Sequence, residues 1–386
     1  MEMKYFSCIL LLLLTTFSCS LFHSKELTRL PRTNNFNSLD SSQAENVYRY
    51  ARHFPNGTQL SICIITGDSE KYVGIERRND SLIYIDNKDR IFEIGSITKT
   101  FTGTILAKLV YEGKVNPDEP IKNILPVHLK QSSLKGKEIT LVNLANHTSG
   151  LPFEPGEVKD DNSSYDRYNP YRNYSIEKLY NYLSNKMVLG STPGEKRTYS
   201  NLGGGLLGHI LTLITGKSYE QLLFETICDP LKMQNTFTIY NDERKRLMVP
   251  GLDEKGNPLK FDEDNMTAFL GAGGIKSTAM DLVKYIRANM DDTTYFRLAQ
   301  KKTIDYNEHF TGSLGWAPYN ENGKSHLGAF GSTGGFTCGI IFERNDRVGV
   351  VVLTNVSPYL AVQGANPEGL CRALYDPLPF ITKKGN

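Results

Sequence analysis

The strand-forming segments of this chain lie near its two ends, and a long helical stretch separates them. Residues 60–65 are apolar and rich in isoleucine, and residues 339–342 and 348–353 have a similar composition. From Ile97 onward, apolar side chains recur every four residues, as they do in a helix. We therefore expect an α/β (α+β) fold: an antiparallel sheet built from both chain ends, with flanking helices and a mostly helical lobe.

The first residues have the pattern of an export signal. Lys4 precedes a mostly apolar run, and the chain becomes polar after Cys19. This pattern predicts a signal peptide at residues 1–18. A small residue followed by Cys resembles a bacterial lipobox, so we expect a lipid on Cys19, with ordinary signal cleavage as the alternative. Residues 19–45 would form a flexible tether, and the exported protein would be held at a membrane surface in the periplasm or cell envelope.

The charge of the chain is nearly balanced, because 44 basic residues stand against 42 acidic ones and the net charge is +2. This balance gives no reason to expect a nucleic-acid partner. A hydrophobic content of 39% is ordinary for a globular protein and excludes a disordered or collagen-like chain. We expect one folded domain at residues 46–380, with its sheet in about 46–95 and 270–380 and its helical lobe in about 96–269.

Ser96 and Lys99 form the first motif with chemical meaning. They are three residues apart at the start of a predicted helix, so both side chains lie on one face. A serine hydroxyl is a poor nucleophile until a base removes its proton, and a lysine amine within hydrogen-bond reach can do so. Taken alone, the pair is common by chance, and a capping serine beside a solvated lysine is the alternative.

A second motif, from Tyr199 to Asn201, precedes the apolar helix predicted at residues 202–214. A phenol can relay a proton, and an amide can hold a substrate carbonyl. An ordinary polar turn is the alternative for this segment alone. The two motifs together predict nucleophilic attack by Ser96. Lys99 and Tyr199 would share the work of the base, and Asn201 would bind substrate.

In order and spacing these motifs resemble the serine β-lactamase and penicillin-binding-protein superfamily, in particular its class C β-lactamase branch. Residues 144–152, 193–201 and 273–282 are similar to further segments of that family, and the resemblance spans about residues 46–375. It implies a β-lactamase/transpeptidase-like fold and a serine hydrolase without cofactor. It also implies an acyl-enzyme formed on a β-lactam, a D-Ala-D-Ala-type peptide or a related amide or ester. An esterase and a catalytically weak penicillin-binding sensor module are the alternatives.

The same family places a third motif, Lys-Thr-Gly or His-x-Gly, on a strand that lines the site. His326 and Gly328 fit the His-x-Gly form, and the Ser-Thr-Gly of residues 332–334 is a second candidate without a cation. We prefer His326. The resemblance then implies that substrate lies along Gly328 and that the backbone N–H groups of Ser96 and Ala329 form the oxyanion hole.

Partners and pocket residues are less constrained by the sequence. The predicted partner is a small-molecule or peptidoglycan-derived substrate, and a monomer is favoured. Phe153 and the tyrosine-rich residues 165–174 are candidates for the pocket wall, with ordinary surface packing as the alternative. We predict no metal site, because the chain contains no His-Glu-x-x-His pattern and its cysteines are scattered.

Four cysteines follow the predicted lipid site: Cys63, Cys228, Cys338 and Cys371. Four cysteines allow three pairings, and free thiols are equally compatible with the sequence. Cys63 and Cys338 belong to strand-forming segments from opposite ends of the chain. The proposed sheet would bring these two residues into one layer.

Overall fold

The computed structural model describes residues 39–79, 81–160, 165–260, 267–321, 324–360 and 366–378. Its strands are β1 (Gln59–Thr66), β2 (Ser69–Arg78), β3 (Ser81–Ile85), β4 (Phe92–Glu93), β5 (Ser133–Leu134), β6 (Lys137–Glu138), β7 (Lys276–Ser277), β8 (Ile304–Asp305), β9 (Thr311–Gly312), β10 (Tyr319–Glu321), β11 (Lys324–Thr333), β12 (Phe336–Glu343) and β13 (Val348–Thr354). Its α-helices are α1 (Ser41–Ala51), α2 (Thr98–Tyr111), α3 (Leu141–Ala145), α4 (Glu157–Asp160), α5 (Ile176–Asn185), α6 (Asn201–Thr215), α7 (Tyr219–Leu223), α8 (Asp229–Leu231), α9 (Asp242–Leu247), α10 (Leu270–Gly273), α11 (Ala279–Asp291), α12 (Tyr295–Gln300) and α13 (Pro367–Tyr375).

Strands from both ends of the chain meet in one seven-stranded sheet with the order β10-β11-β12-β13-β1-β2-β3. Every neighbouring pair is antiparallel, and Cys63 of β1 lies opposite Val351 of β13. Helices flank the sheet, and most of the helical lobe is formed by the chain between β3 and β10. The fold expected from the sequence is therefore confirmed.

Helices cover both faces of the sheet, which explains why β12 and β13 are buried along their whole length. Successive side chains of a strand point to opposite faces. On one face, Ile62 belongs to an apolar cluster that includes Val47 of α1 and Leu370 of α13. On the other face, Cys63 belongs to the larger cluster of the helical lobe. The direction in which a strand residue points therefore decides whether it can reach the lobe.

Helix α2 runs through the middle of the lobe and is buried over most of its length. Phe101 of α2 stacks against Tyr285 of α11, with ring centroids 3.9 Å apart. Tyr285 donates a hydrogen bond to Thr100 Oγ1 (3.2 Å) and also stacks on Trp316, with ring centroids 6.0 Å apart. This packing holds the first turns of α2 in place, and the candidate nucleophile lies directly before them.

The folded domain begins earlier than the sequence predicts. A tether is expected up to residue 45, but helix α1 already begins at Ser41, after Asp40 as its N-cap. Asn46 of α1 donates to the carbonyl of Ala373 in α13 (2.9 Å), which ties the first helix to the last. Polar residues suit both a tether and a capped surface helix, so composition alone does not separate the two.

The predicted signal peptide at residues 1–18 and the predicted lipid site at Cys19 lie outside the described residues, and both stay predictions. Within the ranges given above, no helix combines the length and the apolar composition that crossing a bilayer requires.

The four cysteines in the described part of the chain, Cys63, Cys228, Cys338 and Cys371, are all buried free thiols. Strand β13 separates β1 from β12 in the sheet order. Cys63 and Cys338 therefore lie in one layer, as expected, but two strands apart. Burial raises the pKa of each of the four thiols, which keeps them protonated and unreactive.

Candidate active site

Ser96 lies in a tight 3₁₀ turn, Gly95–Ile97, that leads directly into α2. Before the turn, the N–H of Ile94 donates to the carbonyl of Ile275 (3.1 Å), beside the pairing of β4 with β7. Gly95 has a φ of +50°, in the left-handed region that favours glycine. This connection places the Ser96 hydroxyl at the N-terminal end of α2, where the helix dipole favours negative charge.

Lys99 lies within the first turn of α2 and is only 6% exposed. Its Nζ atom donates to acceptors from three segments: Ser96 Oγ (3.0 Å), Asn201 Oδ1 (2.8 Å) and the carbonyl of Ala272 (2.7 Å). An ammonium group has three donors, so all of them are used. The structure thus brings Ser96, Lys99 and Asn201 together, as their motifs predict.

Tyr199 reaches the same serine from the segment before α6. Its hydroxyl donates to Ser96 Oγ (2.6 Å), and its ring centre lies 4.9 Å from Lys99 Nζ. Burial by itself raises the pKa of Tyr199, but the positive charges of Lys99 and Arg197 and the hydrogen bonds outweigh burial, so that its pKa lies below the ordinary value. A phenol with a lowered pKa is suited to accept the proton of Ser96.

His147, which is not among the predicted site residues, packs against Tyr199. The two ring centres are 4.5 Å apart. Burial, and then the charges of Lys99 and Arg197, hold the pKa of His147 well below its usual range. Its Nδ1 accepts the N–H of Ser200 (3.3 Å), which suits a neutral ring. His147 therefore supports the Tyr199 ring as an uncharged neighbour.

Tyr171 and Glu154 extend the hydrogen bonds of Asn201 beyond the predicted motifs. Asn201 Nδ2 donates to the Tyr171 hydroxyl (3.0 Å), which donates to Glu154 Oε2 (2.7 Å). The Tyr171 ring stacks on Phe269 at 4.0 Å. The tyrosine-rich segment 165–174 was the available signal, but its irregular backbone has no periodicity from which a particular residue could be chosen.

The strand segment next to Ser96 is the end of β11. A Cβ atom on Gly331 would lie 2.0 Å from the Ile94 carbonyl oxygen and 2.7 Å from the Ser96 nitrogen. In the other direction, a Cβ atom on Gly95 would lie 2.6 Å from the nitrogen of Ser332. Only glycines allow this approach, so the contact between the sheet and the Ser96 turn is made at Gly331 and Ser332.

The preference for His326, with Gly328 and Ala329, as the third motif is met only in part. All three residues line a cavity that Ser96 also lines, but the strand contact with the Ser96 turn is made at Gly331 and Ser332. His326 Nδ1 lies 2.8 Å from the hydroxyl of Tyr375 in α13, and Phe330 packs on the same side of the sheet. Ala329 points to the lobe but carries no charge, and the contact with Ser96 comes two residues later. The pairing register of β11 with β12 decides which residue of β11 lies beside the Ser96 turn. A short sequence motif contains no information about this register. The second candidate for the third motif was the Ser-Thr-Gly of residues 332–334. Its first residue, Ser332, lies at the Ser96 turn.

Two cavities meet at Ser96, which lines both. The first has a volume of about 790 Å³ and includes Asn201 and Tyr171 in its wall. The second has a volume of about 920 Å³ and includes Lys99 and Tyr199. The candidate nucleophile therefore has room on two sides, one for each half of a substrate. Phe153 and residues 165–172 line the first cavity, so this part of the pocket-wall prediction is confirmed.

Two guanidinium groups bring positive charge to the second cavity. Arg197 lies over the Tyr306 ring at 5.2 Å, and Arg372 of α13 lies over the Phe330 ring at 4.9 Å. Arginine in this arrangement is suited to bind a carboxylate. A substrate anion in this cavity would therefore meet Arg197 from a loop and Arg372 from a helix. The strand residue Ala329 lines the same cavity but carries no charge.

Comparison with protein families gives a match between residues 86–369 and the family model described as Beta-lactamase. Among curated proteins, the D-alanyl-D-alanine-carboxypeptidase/endopeptidase AmpH of Escherichia coli (strain K12) is 30% identical over 339 residues, covering 81% of this chain and 84% of that protein. A beta-lactamase of Pseudomonas fluorescens is 26% identical over 340 residues, covering 77% and 88% of the two chains.

Solved structures show the same fold at lower identity. A beta-lactamase/D-alanine carboxypeptidase from Yersinia pestis has a TM-score of 0.70 and 23% identity, covering 86% of this chain and 97% of that one. A class C beta lactamase from Rhodobacter sphaeroides has a TM-score of 0.68 and 22% identity, covering 87% and 98%. The β-lactamase/transpeptidase-like fold implied by the motifs is therefore confirmed.

We expect Gly331→Ala to separate β11 from the Ser96 turn, because its methyl group would lie 2.0 Å from the Ile94 carbonyl oxygen. The free energy of unfolding should fall by about 1–3 kcal/mol, and fluorophosphonate labelling of Ser96 should slow. Gly328→Ala is the matched control on the same strand, since its methyl group would meet its nearest atom at 3.6 Å, an ordinary contact. Equal effects of the two variants in urea unfolding and in labelling would contradict this assignment.

The proposed role of Tyr199 as proton acceptor predicts how the rate of acylation depends on pH. If Tyr199 accepts the Ser96 proton, it must be deprotonated, so the acylation rate rises with pH through its pKa. Arg197 lowers that pKa, and Arg197→Gln should therefore raise it and move the rising limb of the pH–rate profile to higher pH. Lys196→Gln removes a neighbouring exposed charge and serves as the control. A limb that stays in place, or that moves equally in both variants, would exclude Tyr199 as the titrating base.

Proposed function

Because this chain belongs to the beta-lactamase family and is a serine hydrolase, we propose that it cleaves a β-lactam or D-Ala-D-Ala-type peptide bond through an acyl-enzyme on Ser96. One observation carries this proposal: Ser96 Oγ lies between Lys99 Nζ at 3.0 Å and the Tyr199 hydroxyl at 2.6 Å. A serine with two such partners can be deprotonated as it attacks.

In acylation, the Ser96 oxygen attacks the substrate carbonyl carbon, and its proton passes to the phenolate form of Tyr199, whose negative charge the Lys99 ammonium group stabilises. The tetrahedral intermediate collapses when the bond to the leaving group breaks, and that group takes the proton from Tyr199. Water then attacks the ester on Ser96, and the same groups move its proton back to the serine. Catalysis thus uses the lowered pKa of Tyr199 twice, as base and as acid.

The oxyanion hole is assigned to the backbone N–H groups of Ser96 and Ser332. Thr333 and Phe336 close a two-residue hairpin, so they form a hydrogen-bonded pair, and the next pair, Ser332 with Thr337, does not. The N–H of Ser332 therefore points away from β12, towards the edge where the Ser96 turn lies. Two converging N–H groups can hold the negative charge of the intermediate.

The two cavities support an orientation for the substrate. Tyr199 protonates the leaving group and lines only the larger cavity, so the leaving group belongs there. That cavity also holds Arg197 and Arg372, which favours a leaving group with a carboxylate, such as D-alanine, over a neutral alcohol. The acyl group would then occupy the 790 Å³ cavity, where Asn201 can donate to its carbonyl.

Export and membrane attachment belong to the same proposal. The signal pattern of residues 1–18 and the lipobox-like Cys19 support an exported, lipid-anchored protein. Such a location in the cell envelope suits a substrate derived from peptidoglycan.

A substrate panel tests the proposed reaction. We expect hydrolysis of a cephalosporin or a D-Ala-D-Ala peptide to exceed that of a short-chain p-nitrophenyl ester, because the first two carry a carboxylate. Ser96→Ala should lower every measurable rate by at least about a thousandfold. Ser332→Ala, which keeps its backbone N–H in the same site, should lower them little.

Three results would count against this account. A Ser96→Ala variant as active as the wild type would exclude the nucleophile. Hydrolysis of the ester alone would indicate an esterase, and one equivalent of acylation without turnover would indicate a sensor module.

A further inference from the structure

A continuous series of hydrogen bonds leads from Lys99 to a carboxylate that none of the predicted motifs contains. Lys99 Nζ donates to Asn201 Oδ1 (2.8 Å), and Asn201 Nδ2 donates to the Tyr171 hydroxyl (3.0 Å). Tyr171 in turn donates to Glu154 Oε2 (2.7 Å). A cation therefore stands at one end of the series and an anion at the other.

The chemistry of the groups allows only one direction of donation. A lysine ammonium only donates, so the Asn201 amide must turn its oxygen towards Lys99 and its nitrogen towards Tyr171. The Tyr171 oxygen then accepts a hydrogen bond, so its own O–H must donate to another acceptor. Ionised Glu154 only accepts, and it receives this hydrogen bond. Hydrogen bonds aligned in this way polarise and strengthen one another.

Tyr171 is held in place independently of this series. Its ring stacks on Phe269 at 4.0 Å with an interplanar angle of 15°. Burial and the contact with Glu154 raise the pKa of Tyr171, so its hydroxyl keeps its proton. The pKa of Tyr199, on the other side of Lys99, is lowered. The two tyrosines near Lys99 are therefore suited to opposite tasks, proton transfer and fixed orientation.

We propose that Tyr171 and Glu154 are positioning residues that hold the Asn201 amide in a single orientation and through it orient Lys99 towards Ser96. This inference rests on the proposed function, in which Asn201 and Lys99 act in acylation. The amide nitrogen of Asn201 has two N–H groups, and one of them donates to the Tyr171 hydroxyl. The other stays available for a substrate carbonyl in the 790 Å³ cavity that Asn201 lines.

Tyr171→Phe tests the proposal, because it removes the hydroxyl and keeps the ring that stacks on Phe269. The second-order rate constant of acylation by a fluorescent penicillin should fall about tenfold. Tyr174→Phe is the matched control. Tyr174 belongs to the same loop, its ring also contacts Phe269 (5.4 Å), and its hydroxyl donates to Glu157 (2.9 Å), away from Asn201. Its acylation rate should stay within about twofold of the wild type.

A double-mutant cycle with Asn201→Ala distinguishes positioning from a general effect on the fold. If Tyr171 acts through Asn201, then Tyr171→Phe should have no further effect once the amide is gone. Additive losses in the double variant, or an equal loss in Tyr174→Phe, would overturn the positioning role. So would a Tyr171→Phe variant that is acylated as fast as the wild type. If the wild type itself is not acylated, the proposed function fails together with the positioning role. If the wild type is acylated but the variants behave as above, only the positioning role fails.

Discussion

The buried ammonium group of Lys99 is the constraint on which the rest of the site depends. A charge in a protein interior is costly unless hydrogen bonds replace its water. Lys99 obtains three such bonds, from the Ser96 turn, from Asn201 at the start of α6 and from the carbonyl of Ala272 in α10. The fit leaves little room, since a Cβ atom on Gly204 of α6 would lie 3.0 Å from Lys99 Cε. Three segments distant in sequence are thus held around one atom.

The two tyrosines near this cation have different properties. Burial would raise the pKa of Tyr199, but the positive charges of Lys99 and Arg197 lower it below the ordinary value. Tyr171 is separated from Lys99 by the Asn201 amide, and burial, followed by the contact with Glu154, raises its pKa. One phenol is therefore prepared to exchange a proton with Ser96, while the other is prepared to keep its proton. The two cavities follow the same division, since Tyr199 lines one and Tyr171 the other.

Local patterns predicted the fold class and brought out Ser96, Lys99, Tyr199 and Asn201, because the spacing within a helix turn or a tight loop fixes which side chains are neighbours. The strand residues that contact the Ser96 turn were not predicted, for a long-range reason. The pairing register between β11 and β12 decides which residue meets the Ser96 turn, and this register depends on a hairpin and on packing against both sheet faces. Tyr171 was recognised only as part of a segment, because an irregular loop has no periodicity that singles out one residue. Helix α1 was mistaken for tether, because its exposed polar residues resemble those of a flexible chain.

The central claim is that Ser96 becomes covalently acylated. Mass spectrometry of the protein after brief exposure to a penicillin, acid quenching and digestion tests this claim directly. We predict one adduct per chain, with the full mass of the penicillin, on the peptide that contains Ser96, and no adduct on that peptide in Ser96→Ala. An adduct on another residue, or an unmodified Ser96 peptide while the penicillin is being hydrolysed, would contradict the account.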